Sequence, residues 1–132
     1  MKLYLDSSAV VKLIQREAES AALRRYLRRL GDDLKVTSTL ARVEVLRALA
    51  AGGPTAVAHT RRVLSGFYQV DLSRSLLDDA AMLAPGTILR SLDAIHLATA
   101  RAVGPDLRAV VTYDERMKTA AAGLGLLTEA PA

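Results

Sequence analysis

Four acidic residues spread along the chain, Asp6, Glu44, Asp93 and Asp114, are the side chains whose type and placement best suit chemistry. Asp6 follows the apolar run Lys2-Leu3-Tyr4-Leu5, and Asp114 follows Ala109-Val110-Val111-Thr112-Tyr113. Asp93 opens the helical run from Leu92 to Val103. In an open parallel sheet, the carboxyl ends of the strands form the edge where ligands bind. Carboxylates gathered there repel one another unless a cation sits among them, so the pattern points to a divalent metal site. Taken singly, Asp6, Asp93 and Asp114 are equally well explained as capping or first-turn acids that favour a helix dipole. Glu44 reads as a mid-helix acid among Leu40, Val43, Leu46 and Leu49, where no cap accounts for it. Its alternative is a solvent-facing position or an i+3 pair with Arg47.

Carboxylates without cysteine and almost without histidine suit Mg²⁺ or Mn²⁺, hard cations that prefer oxygen ligands and keep several waters. One or two such ions acidify a water, aim a nucleophile and neutralise charge during phosphodiester hydrolysis. The Ser7 and Ser8 hydroxyls either hold Asp6 in place or cap the following helix. His96, three residues after Asp93, shares its helix face; it either orients a carboxylate or contacts substrate, or is buried among Leu92, Ile95 and Leu97.

The elements that must position these residues alternate between short β runs and amphipathic helices. The pattern predicts a strand over Lys2 to Leu5 and then a helix capped by Ser7 or Ser8. A second helix runs from Glu19 to Leu30, with Leu23, Tyr26, Leu27 and Leu30 on one face. Strand 34–37 leads into a helix from Leu40 to Ala50, capped by Ser38 or Thr39. Gly52-Gly53-Pro54 breaks the chain before helix 55–64. A strand over 67–72, a helix from Ser73 to Leu83, the Ser91-capped helix to Val103, strand 109–112, a short helix after Asp114 and an edge strand over 124–127 complete the order. Such alternation predicts one α/β domain over 1–132, with a mostly parallel sheet flanked by helices.

At 132 residues and 51% apolar content the chain suits one compact domain with a sizeable core. No apolar run approaches the roughly 18 residues of a membrane span, and the N-terminus enters a strand without a signal-peptide pattern. Absence of cysteine fits a reducing cytoplasm. Lys and Arg exceed Asp and Glu by 18 to 14, a formal charge of +4. If several acids are sequestered in one site, the remaining surface is more basic still and favours a polyanionic partner.

Four segments carry a resemblance to a known family: Tyr4-Leu5-Asp6-Ser7-Ser8-Ala9-Val10-Val11-Lys12-Leu13, Arg42-Val43-Glu44-Val45-Leu46-Arg47-Ala48, Ser91-Leu92-Asp93-Ala94-Ile95-His96-Leu97-Ala98-Thr99-Ala100 and Val111-Thr112-Tyr113-Asp114. In order and content they resemble the PIN-domain family, most closely its VapC toxin branch. The resemblance implies a small α/β/α fold with about five largely parallel strands. It also implies Mg²⁺- or Mn²⁺-dependent endoribonuclease activity, inhibition by a cognate VapB-type antitoxin within a type II toxin–antitoxin system, and dimerisation. It assigns Asp6, Asp93 and Asp114 as metal ligands. Glu44 becomes an acid that binds metal directly or through water and positions the attacking water. Thr112 and Ser8 become supporting residues.

Arg24, Arg25, Arg28 and Arg29 form two i, i+4 pairs on the second helix. They suit RNA phosphates, an acidic antitoxin segment, or simply a solvated face. With aromatics at only 4%, stacking on a long single strand is disfavoured, and RNA shape and backbone become the expected determinants. Two rival readings remain distinct from a nuclease. A receiver-type phosphoacceptor domain would use Asp71 as acceptor and Lys118 as its lysine, but leaves Glu44 and Asp93 unexplained. A non-catalytic binding module would keep the fold without the metal.

Overall fold

The computed structural model describes residues 1–132. Five parallel strands form one sheet: β1 (Lys2–Leu5), β2 (Leu34–Ser38), β3 (Tyr68–Val70), β4 (Leu107–Val111) and β5 (Thr128–Glu129). Their order in space is β3-β2-β1-β4-β5, so the chain leaves β1 toward one edge and β4 toward the other. The seam between β1 and β4 is therefore the topological switch point, where an open α/β sheet forms a crevice at its carboxyl end. Leu5 pairs with Val111 there, which sets Asp6 beside Thr112.

Alternation along the central strands divides the core. Leu3 and Leu5 of β1 and Ala109 and Val111 of β4 face a cluster built on α1 (Ser7–Ile14), α2 (Ser20–Arg29), α3 (Ala41–Leu49) and α4 (Pro54–Ser65). Tyr4 and Val110 point to the opposite face, where they meet Ala100 of α6 (Ser91–Ala102). Beyond them α5 (Arg74–Ala81), α6 and α7 (Glu115–Gly123) share a further apolar cluster around Leu97 and Met117. Period-two side-chain placement covered by helices on both faces is the burial that a parallel sheet requires. At the amino edge, Asp33 ties the start of β2 to those of β1 and β4, accepting from the Met1 amino group at 3.3 Å and from Arg108.

Several boundaries differ from the sequence reading, each for a local reason. Asp6, not Ser7 or Ser8, caps α1, because its carboxylate accepts from the Ala9 N–H. Ser91 lies inside α6, whose cap position is Arg90 and carries no side-chain cap bond. Helix α3 begins at Ala41 after a turn in which the Ser38 hydroxyl accepts from the Leu40 N–H, so Glu44 falls in its first turn rather than mid-helix. The last strand lies at 128–129 instead of 124–127, because the end of α7 turns through Gly125 at φ 75° before the chain can extend. Strand β3 is shorter than expected, as befits an edge strand. Ser73 caps α5 and Pro54 opens α4 as read from the sequence.

Leu64 of α4 is 1% exposed in the larger core cluster and far from the acidic motifs in the chain. Leu64→Ala is expected to cost about 2–5 kcal/mol, read as a lower urea midpoint at unchanged slope. A loss near zero would mean that α4 does not close this core.

Candidate metal centre

Each of the four acids stands where a helix begins. Asp6 caps α1 directly after β1, Asp114 caps α7 just beyond β4, and Glu44 and Asp93 occupy the first turns of α3 and α6. Four helix N-termini thus meet the carboxyl edge of the sheet, and their unpaired N–H groups and dipoles favour negative charge there. Helix capping, by Asp6 and Asp114, and a position at one shared sheet edge, which the sequence offered as alternatives, are compatible.

Asp6 is the deepest of the four, at 4% exposure. Its Oδ1 accepts from the Ser8 hydroxyl at 2.6 Å and from the Ala9 N–H at 3.0 Å, while Oδ2 accepts from the Thr112 hydroxyl at 2.5 Å. The same Thr112 oxygen accepts from the Asp114 N–H at 3.2 Å, coupling the ends of β1 and β4. Ser8 is bound from the other side by the Tyr113 N–H at 3.3 Å. Asp114 spends Oδ1 on the Arg116 and Met117 N–H groups, and its Oδ2 faces Arg90 at 3.6 Å. Asp93 takes the Arg90 Nε at 3.2 Å, so a single guanidinium spans two of the acids.

Glu44 belongs to a second, linked chain of contacts. Its Oε1 accepts from the Ser7 hydroxyl at 2.7 Å and pairs with His96 Nε2 at 2.7 Å, while His96 Nδ1 lies 2.6 Å from the buried Tyr4 hydroxyl. An ionised Glu44 only accepts, so Nε2 carries the ring proton. Burial holds the Tyr4 phenol protonated, well above its usual range, and it donates to Nδ1. That assignment follows from the partners, and it fixes both the tautomer and the orientation of the imidazole. His96 is accordingly both a buried histidine, 2% exposed, and the group that orients a carboxylate.

The two inner carboxyl groups are pushed in opposite directions. Burial raises Asp6, and the hydrogen bonds from Ser8, Thr112 and Ala9 recover only part of that shift. Burial also acts on Glu44, but His96 and Ser7, with smaller help from Arg90, outweigh it and hold Glu44 below its ordinary value. Opposed environments for neighbouring carboxyls are a mark of functional sites.

The sequence-expected ligands Asp6, Asp93 and Asp114 reach one edge, but no three acidic or histidine side chains are drawn around a common point. Asp6 is turned toward Ser8, Ala9 and Thr112, while Asp93 and Asp114 share Arg90. The donor chemistry nevertheless fits a hard divalent cation. Every available ligand is oxygen, burial disfavours the charged form of Asp6 so that a neighbouring cation would favour it, and a guanidinium already spans Asp93 and Asp114.

Other candidates fall outside this cluster. Arg24 donates to the Leu13 carbonyl at 3.1 Å, Arg25 lines a groove with Tyr26 and Glu129, and Arg28 lines another with Asp33 and Lys35. The α2 arginines are all exposed, and they line different grooves. Asp71 follows edge strand β3, and Lys118 pairs with Glu115 at 2.9 Å, so the residues of a phosphoacceptor site are not assembled. Glu44 does not pair with Arg47. Tyr4 had no assigned role in the sequence, because a tyrosine in an apolar strand reads as core; Ser7, expected to hold Asp6 or to cap the helix, donates to Glu44 instead. Arg90 was detectable as the i−3 neighbour of Asp93.

The PIN-domain family model matches residues 3–123. Ribonuclease VapC46 of Mycobacterium tuberculosis is 50% identical over 129 residues, covering 98% of this chain and 97% of that protein. Ribonuclease VapC35 of the same species is 42% identical over 131 residues, covering 98% and 96%. The fold is shared with VapBC2 of Rickettsia felis bound to a promoter DNA fragment (TM-score 0.79, 16% identity, the whole of both chains). It is also shared with the sarcin-ricin-loop-cleaving toxin VapC20 of M. tuberculosis (TM-score 0.76, 17% identity, 99% of this chain and all of that one). Motif order, the carboxylates gathered at the switch point and near-full-length similarity agree: this chain belongs to the PIN-domain family, among its VapC-type, metal-dependent ribonucleases.

Proposed function

We propose that this domain, spanning 1–132, is the toxin of a toxin–antitoxin pair, an endoribonuclease that hydrolyses RNA phosphodiester bonds and is silenced by a VapB-type antitoxin. The observation that carries it is the convergence of Asp6, Asp93, Asp114 and Glu44 on four helix N-termini at one sheet edge. Asp6, Asp93 and Asp114 would hold Mg²⁺ or Mn²⁺. When bound, such an ion acidifies its water and offsets charge that builds on the phosphoryl oxygens. Thr112 and Ser8 fix the Asp6 carboxylate, so one ligand is set before any ion arrives. Glu44, ionised at neutral pH and held by Ser7 and His96, would accept a hydrogen bond from the attacking water and aim it.

Similarity to toxin–antitoxin complexes supports the antitoxin as partner. We assign Arg24, Arg25 and Arg28 of exposed α2 to contacts with that antitoxin or with RNA. A homodimer and a cytoplasmic location complete the proposal. No helix is long and apolar enough to cross a membrane.

Asp6→Asn and Asp93→Asn are each expected to lower RNA cleavage on the order of 10²-fold or more and to remove Mn²⁺ binding in calorimetry. Cleavage that persists in chelator, or survives both substitutions, would sink the mechanism.

Metal affinity should also depend on pH, with a sign set by Asp6. Its folded pKa is raised, so protons compete with the ion across mildly acidic pH, and affinity rises as pH increases through that range. Mn²⁺ titration in two buffers of different ionisation enthalpy should show proton release there. Heats identical after correction for dilution, with a pH-independent Kd, would count against Asp6 as a ligand.

His96 gives a third expectation. His96→Leu leaves the buried Tyr4 hydroxyl without its partner and is expected to cost about 1–3 kcal/mol of stability. It should also lower kcat more than it raises KM, because Glu44 loses its orientation. His96→Gln, whose amide can donate to Glu44, should recover part of kcat; equal kcat for the two variants would disprove the orienting role.

A further inference from the structure

The partners of the acids fall into two kinds. Asp6 is bound by buried or half-buried neutral donors, Ser8, Ala9 N–H and Thr112, at 2.5–3.0 Å. Glu44 is bound by Ser7 and the buried His96. These contacts are buried or half-buried and involve no exposed cation. Asp93 and Asp114 are different: both reach an exposed cation, the Arg90 guanidinium, at 3.2 and 3.6 Å through their Oδ2 atoms. The Arg90 side chain is 65% exposed, while Asp93 and Asp114 are 16% and 28% exposed. It emerges from the segment between α5 and α6, at the cap position of α6.

Guanidinium and divalent cation are thus rivals for the same oxygens. A single positive group placed against two separate carboxylates would compete for them with any cation that Asp93 and Asp114 hold. Exposed ion pairs of this kind are weak and exchange readily, whereas the inner hydrogen bonds of Asp6 do not. Resting on the metal reading above, we infer that Arg90 is a built-in counter-cation of this centre: it competes with the divalent ion for Asp93 and Asp114, and once displaced it offers its guanidinium to an RNA phosphate. Arginine is suited to both tasks, because its planar fork matches carboxylate and phosphate alike and its charge never leaves it. The exchange keeps Asp93 and Asp114 from repelling each other before the ion binds. It also moves a positive charge to the mouth of the site just as a phosphodiester is needed there.

The opposite role, Arg90 as a brace that holds Asp93 and Asp114 ready for the ion, makes the opposite prediction. Mn²⁺ binding is measured by calorimetry on the full chain and on Arg90→Met, which keeps a long apolar stem but no charge, at one pH and ionic strength. Competition predicts that Arg90→Met binds Mn²⁺ about three- to tenfold more tightly, with Arg90→Lys in between. Unchanged or weaker binding overturns the counter-cation. Steady-state cleavage then tests the second half: with Mn²⁺ saturating, Arg90→Met should raise KM for RNA severalfold, and the salt dependence of KM should become shallower by about one ion. An unchanged KM and slope overturn the phosphate contact. Arg90→Met/Asp93→Asn should bind no Mn²⁺. If neither the full chain nor Arg90→Met takes up Mn²⁺, the metal reading itself fails, which is a different result from equal uptake by both.

Discussion

A carboxylate buried at the seam between two parallel strands is costly, and much of this molecule is arranged around accommodating one. Asp6 ends β1, caps α1 and is covered from the solvent. Its oxygens are met by Ser8, the Ala9 N–H and Thr112, the last contributed by the neighbouring strand β4 through the Leu5–Val111 register. A one-residue slip between β1 and β4 would turn Thr112 to the other face and leave that charge without its shortest donor. Register, helix start and site geometry are therefore one constraint.

The two ends of the sheet divide the electrostatic work. At the amino edge, Asp33 is answered by the Met1 amino group and Arg108, with Arg108 as the main reason its carboxyl sits below its usual range. At the carboxyl edge the acids outnumber their cations, and helix N-termini, hydroxyls and one exposed guanidinium share the compensation. An edge left with surplus negative charge stores unfavourable energy until a cation relieves it. That surplus makes it a place for chemistry rather than for stability alone.

The Tyr4–His96–Glu44 chain shows how the two faces of the sheet are joined. Tyr4 is a core residue on one face of β1, His96 lies on α6, and Glu44 begins α3 on the other face. A fully satisfied buried network of this kind leaves little freedom for Glu44, and no buried side-chain polar atom in the molecule lacks a partner.

Much of this was legible in the chain itself. The strand and helix types, the Pro54 and Ser73 signals, the parallel class and the identity of the four acids follow from period-two and period-3.6 patterns and from capping chemistry, all of which act over a few residues. Helix starts were less legible where several cap-competent residues stand together: at Asp6-Ser7-Ser8 and at Ser38-Thr39, the winner depends on which side chain has another use. The partners of the acids were not legible at all. Thr112 reaches Asp6 across 106 residues of sequence, and His96 reaches Glu44 across 52. Local pattern fixes which residues can cap, pair or alternate, because those interactions end within a turn. Which carboxylate is buried, which is clasped by Arg90 and which is aimed by a histidine depends on strand order and register, and only packing in three dimensions selects those.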